Sequence, residues 1–524
     1  MPKSLPRVSR FQILSTIVSL VVALSGVPIQ AASKSTTVSV QKLLKTYASV
    51  LSLAENNYAD ESDSEKMLYD SIRGMLQTLD PHSNFFDPKT YRLFRDDQRG
   101  NFFGLGISIG TVNGQPTIMA ILAGTPAQRV GLRSGDIIIK IDGGISLGLT
   151  RDQVVERLRG PKGSFVRVSI QREGVSELLD FSVNRDVIPQ HSVALAFPIR
   201  PKLGYLRIDS FTETTEQEIE SALANFGSRL EGLVLDLRSN PGGSLQAAIG
   251  VADKFLKRGQ SVLITKGRLS SANQKYVVPN GTAGSTYPMV ILINNDSASA
   301  AEIVAGAIQD HDRGLIAGET SFGKGLVQSV FDLSRGTGVA LTTAKWYTPS
   351  GRLIQRDYTK KSFFDYFNGK GKESRSSEIK YTDSGRAVYG GGGITPDVVL
   401  EPQTYATFQS LLLAHAACFT FIRSYNVAHA EAQDGLEVTD KLMQEFRAYL
   451  DTKQVLVHPG EFEQNSDFIR RQLRYEYALS RLGLEEAQKI ALEGDAQVLK
   501  AIDLIPQARV LFSNAEKSVA SRRN

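Results

Sequence analysis

Three times between residues 203 and 310 an apolar run gives way to a short polar turn and then to an amphipathic stretch: "LGYLRIDSF" leads to "TEQEIESALANF", "LEGLVLDLRS" to "SLQAAIGVADKFL", and "PMVILINND" to "SAAEIVAGAIQD". Strands that are apolar along their whole length need cover, and alternation with helices provides it through parallel βαβ crossovers. The pattern therefore predicts an α/β core with parallel pairing over residues 187–403.

The texture changes on either side of that core. Residues 32–95 read as helical: Leu43, Leu44, Tyr47, Val50, Leu51 and Leu53 recur at helical spacing, and "SEKMLYDSIRGMLQTL" repeats the period before "LDPHSNFFDP" ends it with two prolines. Residues 96–186 hold short strands bounded by glycine, such as "GDIIIKIDG" and "FVRVSIQREG", broken by "TPAQRVGL" and by "TRDQVVERLRG" with Thr150 as N-cap. They predict a compact, mostly β module inserted before the core. Residues 404–524 are helical again, and residues 357–394 read as a long surface loop. The fold class expected is multidomain α/β with helical N- and C-terminal regions.

Within the first 31 residues, Lys3, Arg7 and Arg10 precede "FQILSTIVSLVVALSGV", a charge-free run, and small residues follow at Ala31 and Ala32. This is the pattern of a secretory signal peptide, and it places the rest of the chain in the periplasm or another extracytoplasmic space. Uncleaved, the same run would hold the protein near a membrane. The chain of 524 residues carries a net charge of +5 with basic and acidic residues interleaved, which gives no footprint for a nucleic-acid partner. Its single cysteine, Cys418, excludes an intrachain disulfide and cysteine-based zinc sites, and no metal or cofactor is implied. "LLLAHAACFTFI" (411–422) is too short for a span and reads as a buried helix.

Several motifs invite chemistry. "GLGISIG" lacks the dinucleotide spacing and precedes a strand. "GETSFGKG" (318–325) mimics a phosphate loop, but Gly325 replaces the magnesium-binding hydroxyl and "LVQSVFDL" continues as a strand. With the phosphate idea removed, Lys324 remains between glycines in an apolar setting. Desolvation there would lower its pKa and make it a usable base. In "NNDSASAAEIVAG" a serine in the turn would stand at a helix N-terminus, where free N–H groups favour developing negative charge. Ser297 and Ser299 are both candidates, and N-capping is the competing use for Ser297 and Asp296. "RSNPGG" (238–243) follows another core strand, so Gly242 and Gly243 could turn backbone N–H groups toward an oxyanion.

Together "LDPHSNFF", "FFGLGI", "LDLRSNPGG", "SASAAEI", "GETSFGKGLVQ" and "GGGITPDVVL" resemble the tail-specific, or carboxy-terminal processing, serine peptidases, in family order over roughly residues 40–400. The resemblance implies a Ser-Lys endopeptidase with Ser299 as nucleophile, Lys324 as general base and Gln328 orienting the lysine. Gly242, Gly243 and Ala300 would supply the oxyanion hole, and Asp310 would support structure. A straight strand would hold Gln328 about 13 Å from Lys324, so their contact requires a turned Gly323–Gly325 segment. It also implies a PDZ-like domain at 96–186 that takes protein or peptide C-termini as an added strand. Leu105, Gly106 and Ile107 would face the terminal carboxylate, and Val154, Val155 and Leu158 the side-chain pocket. Ala301 stands where the family often has a third serine. The helices after 404 have no counterpart in this resemblance, and an adaptor or a second copy of the chain are the partners they leave open.

Two other readings remain to be tested. One is a PDZ-bearing scaffold or chaperone with an inactive protease core. The other is a Ser-His-Asp hydrolase using His311 with Asp310 or Asp312, or a distant histidine such as His191. His311 lies about 18 Å along a helix from Ser299.

Overall fold

The computed structural model describes residues 34–227, 230–281, 286–359, 361–368, 378–429 and 437–523. The expected signal peptide, residues 1–31, lies outside the described residues. Among the described residues no helix is long and apolar enough to cross a membrane. The chain divides into two compact units, Met1–Thr78 and Leu79–Asn524.

In the first unit the helices Lys34–Asn57 and Ser64–Gln77 are joined by a Tyr47 hydroxyl to Ser71 Oγ hydrogen bond of 2.5 Å. Asp63 caps the second helix by accepting from Lys66 N–H at 3.0 Å.

The second unit is organised by a six-stranded sheet, in the order Val193–Arg200, Leu203–Ile208, Gly232–Asp236, Met289–Ile293, Leu315–Gly318 and Val398–Val399. The first pair is antiparallel and every later pair parallel. Alternate side chains serve alternate faces. Leu233, Leu235, Ile291 and Ile293 join one core with the helices Thr215–Phe226, Leu245–Asp253 and Ala300–Asp310. Val234, Val290 and Leu292 join another, with Val498, Ala501 and Ala508 from the helices Ala496–Asp503 and Ile505–Arg523 and with Leu504 between them. The second face of the peptidase sheet is thus covered by the end of the chain.

A five-stranded antiparallel sheet stands beside this core. Its long strand Gly338–Tyr347 pairs with Leu326–Asp332, with Ser261–Gly267 and with the short strand Asn84–Phe86. That last strand comes from the segment read as a mere helix terminator, and it brings Asp80–Ser83 into the core. The stretch 357–394 is also more structured than a surface loop: it holds the helix Phe363–Asn368, with Tyr366 buried, and the paired strands Ile379–Tyr381 and Ala387–Tyr389.

The β module has the strand order Ile107–Val112, Gln115–Ile121, Ile137–Ile141, Phe165–Gln171, Leu179–Asn184, so Ile107–Val112 is an open edge. Thr150 caps the helix Arg151–Leu158 and forms a capping box with Gln153. After residue 404 a helical cluster encloses Cys418, Phe421, Phe446 and Leu473. The "LLLAHAACFTFI" stretch is buried but broken into the helices Thr407–Ala414 and Ala417–Ala428, with Ala416 left-handed between them. This cluster packs on the β module: Ala120 meets Ala478, Leu479 and Ala487. Glu173 receives hydrogen bonds from Arg423 and Ser424.

Candidate active site

The strand Met289–Ile293 runs into the turn 294–299, and the helix Ala300–Asp310 starts immediately after. The turn treats its two serines differently. Ser297 is fully buried; its Oγ donates to Leu237 O at 2.8 Å and accepts from Asn294 N–H at 2.9 Å. Its hydroxyl is committed to holding the turn. Ser299 is half-buried, its Oγ bonds to no described group, and its backbone sits at φ 53°, ψ −113°. That conformation is costly for a residue with a side chain, and such strain collects at functional turns.

Glu302, one turn into the helix, maintains it. Fully buried, its Oε2 accepts from Ser299 N–H at 2.8 Å and Lys324 N–H at 2.9 Å, and its Oε1 from Gly323 N–H at 2.7 Å and Ser321 Oγ at 2.5 Å. One carboxylate therefore clamps the serine turn to the lysine loop. Burial pushes its pKa up, against the hydrogen bonds from Ser321, Lys324, Gly323 and Ser299. The sequence signal was present: Ser299 and Glu302 have the S-x-x-E spacing of a capping box, of which the Ser299 N–H to Glu302 half is made.

Lys324 precedes the strand Leu326–Asp332 and is tied by its carbonyl to Trp346 Nε1–H at 3.0 Å. Burial lowers the pKa of its ammonium, with Glu302 and Asp80 pulling the other way. Asp80 is buried in the "LDPHS" turn, accepting from His82 N–H, Ser83 N–H and Ser83 Oγ at 2.8, 2.8 and 2.7 Å. His82 contacts Tyr366 OH through Nε2 at 2.8 Å. Its pKa is pulled down to about 3 by burial, with Lys324 acting in the same sense, so its ring is neutral. Neither Asp80 nor His82 was singled out by the sequence, because only the Asn84–Phe86 pairing carries them here.

Two expected contacts are not made. Lys324 Nζ has no hydrogen bond to Ser299 Oγ or to any other described group. Gln328 does not reach Lys324: it lies opposite Thr342 across the ladder, and its amide donates to Thr342 Oγ1 at 3.2 Å, just past a register shift at Val327/Gln328. Strand direction, not the loop, decides where Gln328 points.

Of the three expected oxyanion donors, Ala300 N–H and Gly243 N–H bond to no described group, while Gly242 N–H already donates to Asn240 Oδ1 at 2.8 Å. Gly242 matters by lacking a side chain: at φ 96°, a Cβ there would lie 2.7 Å from Ser299 Cβ and 2.8 Å from Ala300 N. Asn240, fully buried, links the two turns by accepting from Ala298 N–H at 2.9 Å and donating to Ile208 O at 2.7 Å.

The histidine alternatives find no serine. His311 is held by Asp383 at 2.7 Å and Ser261 O at 2.8 Å, and His191 is exposed beside Glu218. Asp310 is a buried partner of Arg352 at 2.7 Å and of Ser350 N–H at 2.9 Å.

In the β module, Leu105 and Gly106 N–H donate to no described group. Leu122 N–H bonds Gly106 O at 2.9 Å, which makes Ile107 and Ile121 a non-hydrogen-bonded pair, so Ile107 N–H faces the open edge. Gly106, at φ 78°, leaves no room for a Cβ against Thr125. Of the three residues expected at the side-chain pocket on the helix Arg151–Leu158, Val155 alone is partly exposed. Val154 and Leu158, one turn apart on its inner face, are buried in the module's core.

These features define a two-part molecule: an edge-open β module, and an α/β core presenting a free serine at a helix N-terminus near a desolvated lysine. Residues 202–361 match the model of Peptidase family S41, and residues 117–172 match that of the PDZ domain. The chain is 39% identical over 319 residues to the carboxy-terminal-processing protease of Bartonella bacilliformis, covering 60% of this chain and 73% of that one. It is 38% identical over 295 residues to the carboxyl-terminal-processing protease of Synechocystis, covering 55% and 68%, and 35% identical over 324 residues to CtpB of Bacillus subtilis, covering 60% and 66%. The chain belongs to the carboxy-terminal processing serine peptidases of family S41 and carries their PDZ domain.

Proposed function

We propose that this peptidase works outside the cytoplasm on protein substrates whose C-termini its PDZ edge captures, and that it cleaves them with Ser299 and Lys324. The observation that carries the assignment is the contrast within one turn: Ser297 Oγ is buried and doubly bonded, while Ser299 Oγ is unbonded on a strained residue at a helix N-terminus. Neutral Lys324, favoured by burial, takes the proton as Ser299 Oγ attacks the scissile carbonyl. The oxyanion that forms is met by the free N–H groups of Ala300 and Gly243. The protonated lysine gives its proton to the leaving amine, and water then hydrolyses the acyl-serine with Lys324 again as base. The reaction requires Lys324 Nζ to stand about 3 Å from Ser299 Oγ.

For recognition, the open edge Ile107–Val112 offers a strand partner, and the N–H groups at Leu105, Gly106 and Ile107 suit a terminal carboxylate. Export rests on the basic, apolar and small-residue pattern of residues 1–31.

The test incubates wild type and the Ser299→Ala, Ser297→Ala and Lys324→Ala variants with an unfolded protein ending in apolar residues, and reads the products by mass spectrometry. Cleavage is expected to vanish with Ser299→Ala and Lys324→Ala only. Loss confined to Ser297→Ala would move the nucleophile, and absence of cleavage by wild type would favour a scaffold.

A further inference from the structure

The turn that carries Gly242 and Gly243 is held from two sides. On one side Asn240 and Leu237 tie it to the serine turn through Ala298 N–H and Ser297 Oγ. On the other stands Arg238, which begins the turn and is only 9% exposed. Its guanidinium binds Asp236, at the end of the strand Gly232–Asp236, through Nε at 2.9 and 3.1 Å and through Nη2 at 2.5 Å. The remaining donors go to the C-terminal region. Nη1 donates to Gln497 Oε1 at 2.9 Å and Asp495 Oδ1 at 3.1 Å, and Nη2 pairs with Asp495 Oδ2 at 2.9 Å.

Both C-terminal partners are themselves fixed. Asp495 N-caps the helix Ala496–Asp503 by accepting from Val498 N–H at 3.0 Å, and that helix is sealed onto the sheet through Val498 and Ala501. Gln497, 5% exposed, donates to Glu401 O at 3.0 Å. Asp236 already gives Arg238 a buried carboxylate, and a second carboxylate pulled out of water is an expensive way to add stability. What the grip supplies is direction. A planar guanidinium bound along two edges by groups on different elements has one orientation, and the backbone at Arg238 has it too.

We propose that Asp495 and Gln497 are positioning residues of the peptidase: by holding Arg238 from the C-terminal region they fix the Ser239–Gly243 turn, and so the place of Gly243 N–H and Gly242 beside Ser299. The inference rests on the Ser299 assignment above. It makes the helices after residue 484, which lie outside the stretch matched by the S41 model, part of the catalytic apparatus rather than an appendage.

The test is the double variant Asp495→Ser/Gln497→Leu in the full chain. Serine keeps an N-cap acceptor for the helix, but is too short to reach Arg238. Competent sites are counted by the burst of labelling with an acylating fluorophosphonate, so that kcat refers to folded, reactive enzyme. On a short internally quenched peptide, kcat per competent site is expected to fall about 10–100-fold with KM unchanged, the loss that follows from a displaced oxyanion donor. Affinity for a peptide aldehyde, whose hemiacetal oxygen occupies the oxyanion site, is expected to fall by a similar factor. Asp495→Asn, which keeps an acceptor for Arg238, is expected to retain most of kcat. A smaller burst with unchanged kcat per site would make the grip purely structural and overturn the inference, as would a rise in KM alone or an unchanged aldehyde affinity. Ser299→Ala run beside it separates the two levels. If that variant still cleaves, the Ser-Lys reading has failed; if it is dead and the double variant is fully active, only the positioning role has.

Discussion

Glu302→Gln isolates the charge of the clamp from its shape. Glutamine is isosteric, but one of its ends becomes a donor. With the amide nitrogen at the Oε2 position, Ser299 N–H and Lys324 N–H both lose their acceptor, at about 2–6 kcal/mol for two buried donors. At the Oε1 position the Ser321 hydroxyl can turn and accept, leaving only Gly323 N–H unsatisfied, at about 1–3 kcal/mol. The side chain therefore settles in the second orientation, and the melting midpoint should fall by roughly 2–12 °C. The catalytic signature is separate. Glu302 is the first of the groups holding the pKa of Lys324 up against burial. Without that charge the lysine loses its proton at lower pH. The acid limb of log kcat/KM, which reports the base in the free enzyme, should move to lower pH, with a lower plateau because a weaker base accepts the proton. A pH–rate profile on a short peptide, with calorimetry beside it, reads both. An acid limb that stays in place or moves to higher pH would refute the argument that Lys324 is the base and feels Glu302.

Three further outcomes follow from the geometry. Ser297→Ala orphans Asn294 N–H and should lower stability by about 1–3 kcal/mol, seen in a melting scan, while kcat per folded molecule is kept. Gly242→Ala puts a Cβ 2.7 Å from Ser299 Cβ and Ala298 O at a positive φ, and should cut kcat about 100-fold or more with the circular dichroism spectrum retained. Glu476 in the helix Ser466–Arg481 has one oxygen bound to Gln472 Nε2–H at 2.8 Å and the other buried without a partner, and burial pushes its pKa up to about 7. A carboxyl raised in the folded state stabilises below its ordinary value of 4.5, and that contribution is lost as pH rises through about 7. Glu476→Gln removes the dependence, so its melting midpoint should exceed that of wild type increasingly from pH 4.5 to about 7 and then by a constant margin.

The parts that were legible in the sequence share a short range. Apolar strands, their following helices and the Thr150 cap announce themselves within a dozen residues, because hydrophobic period and capping are local. The serine turn and Lys324 were legible as a setting, and the family resemblance narrowed two serines to one. What was hidden depends on distant partners. Gln328 lies on the right strand, but its cross-strand neighbour Thr342 takes its amide. Val154 and Leu158 share a helical face, and nothing in their spacing says that this face is buried in the module's core while Val155 stays partly exposed. Asp80, His82 and Tyr366 come from a turn and a polar stretch, and meet near Lys324 only after the short strand Asn84–Phe86 finds its place. The helicity of residues 404–524 was plain, but its docking on two other modules was not.

The covering of the sheet's second face by Val498, Ala501, Leu504 and Ala508 has a consequence in time. A chain is made from its N-terminus, and its domains fold as they emerge. Here the PDZ domain, both active-site turns and all six strands of the peptidase sheet are synthesised before the residues that bury Val234, Val290 and Leu292. Until those arrive, one face of the sheet is bare apolar surface and Arg238 lacks two of its three side-chain partners. Closure of this core therefore waits for the helices Ala496–Asp503 and Ile505–Arg523 to be made.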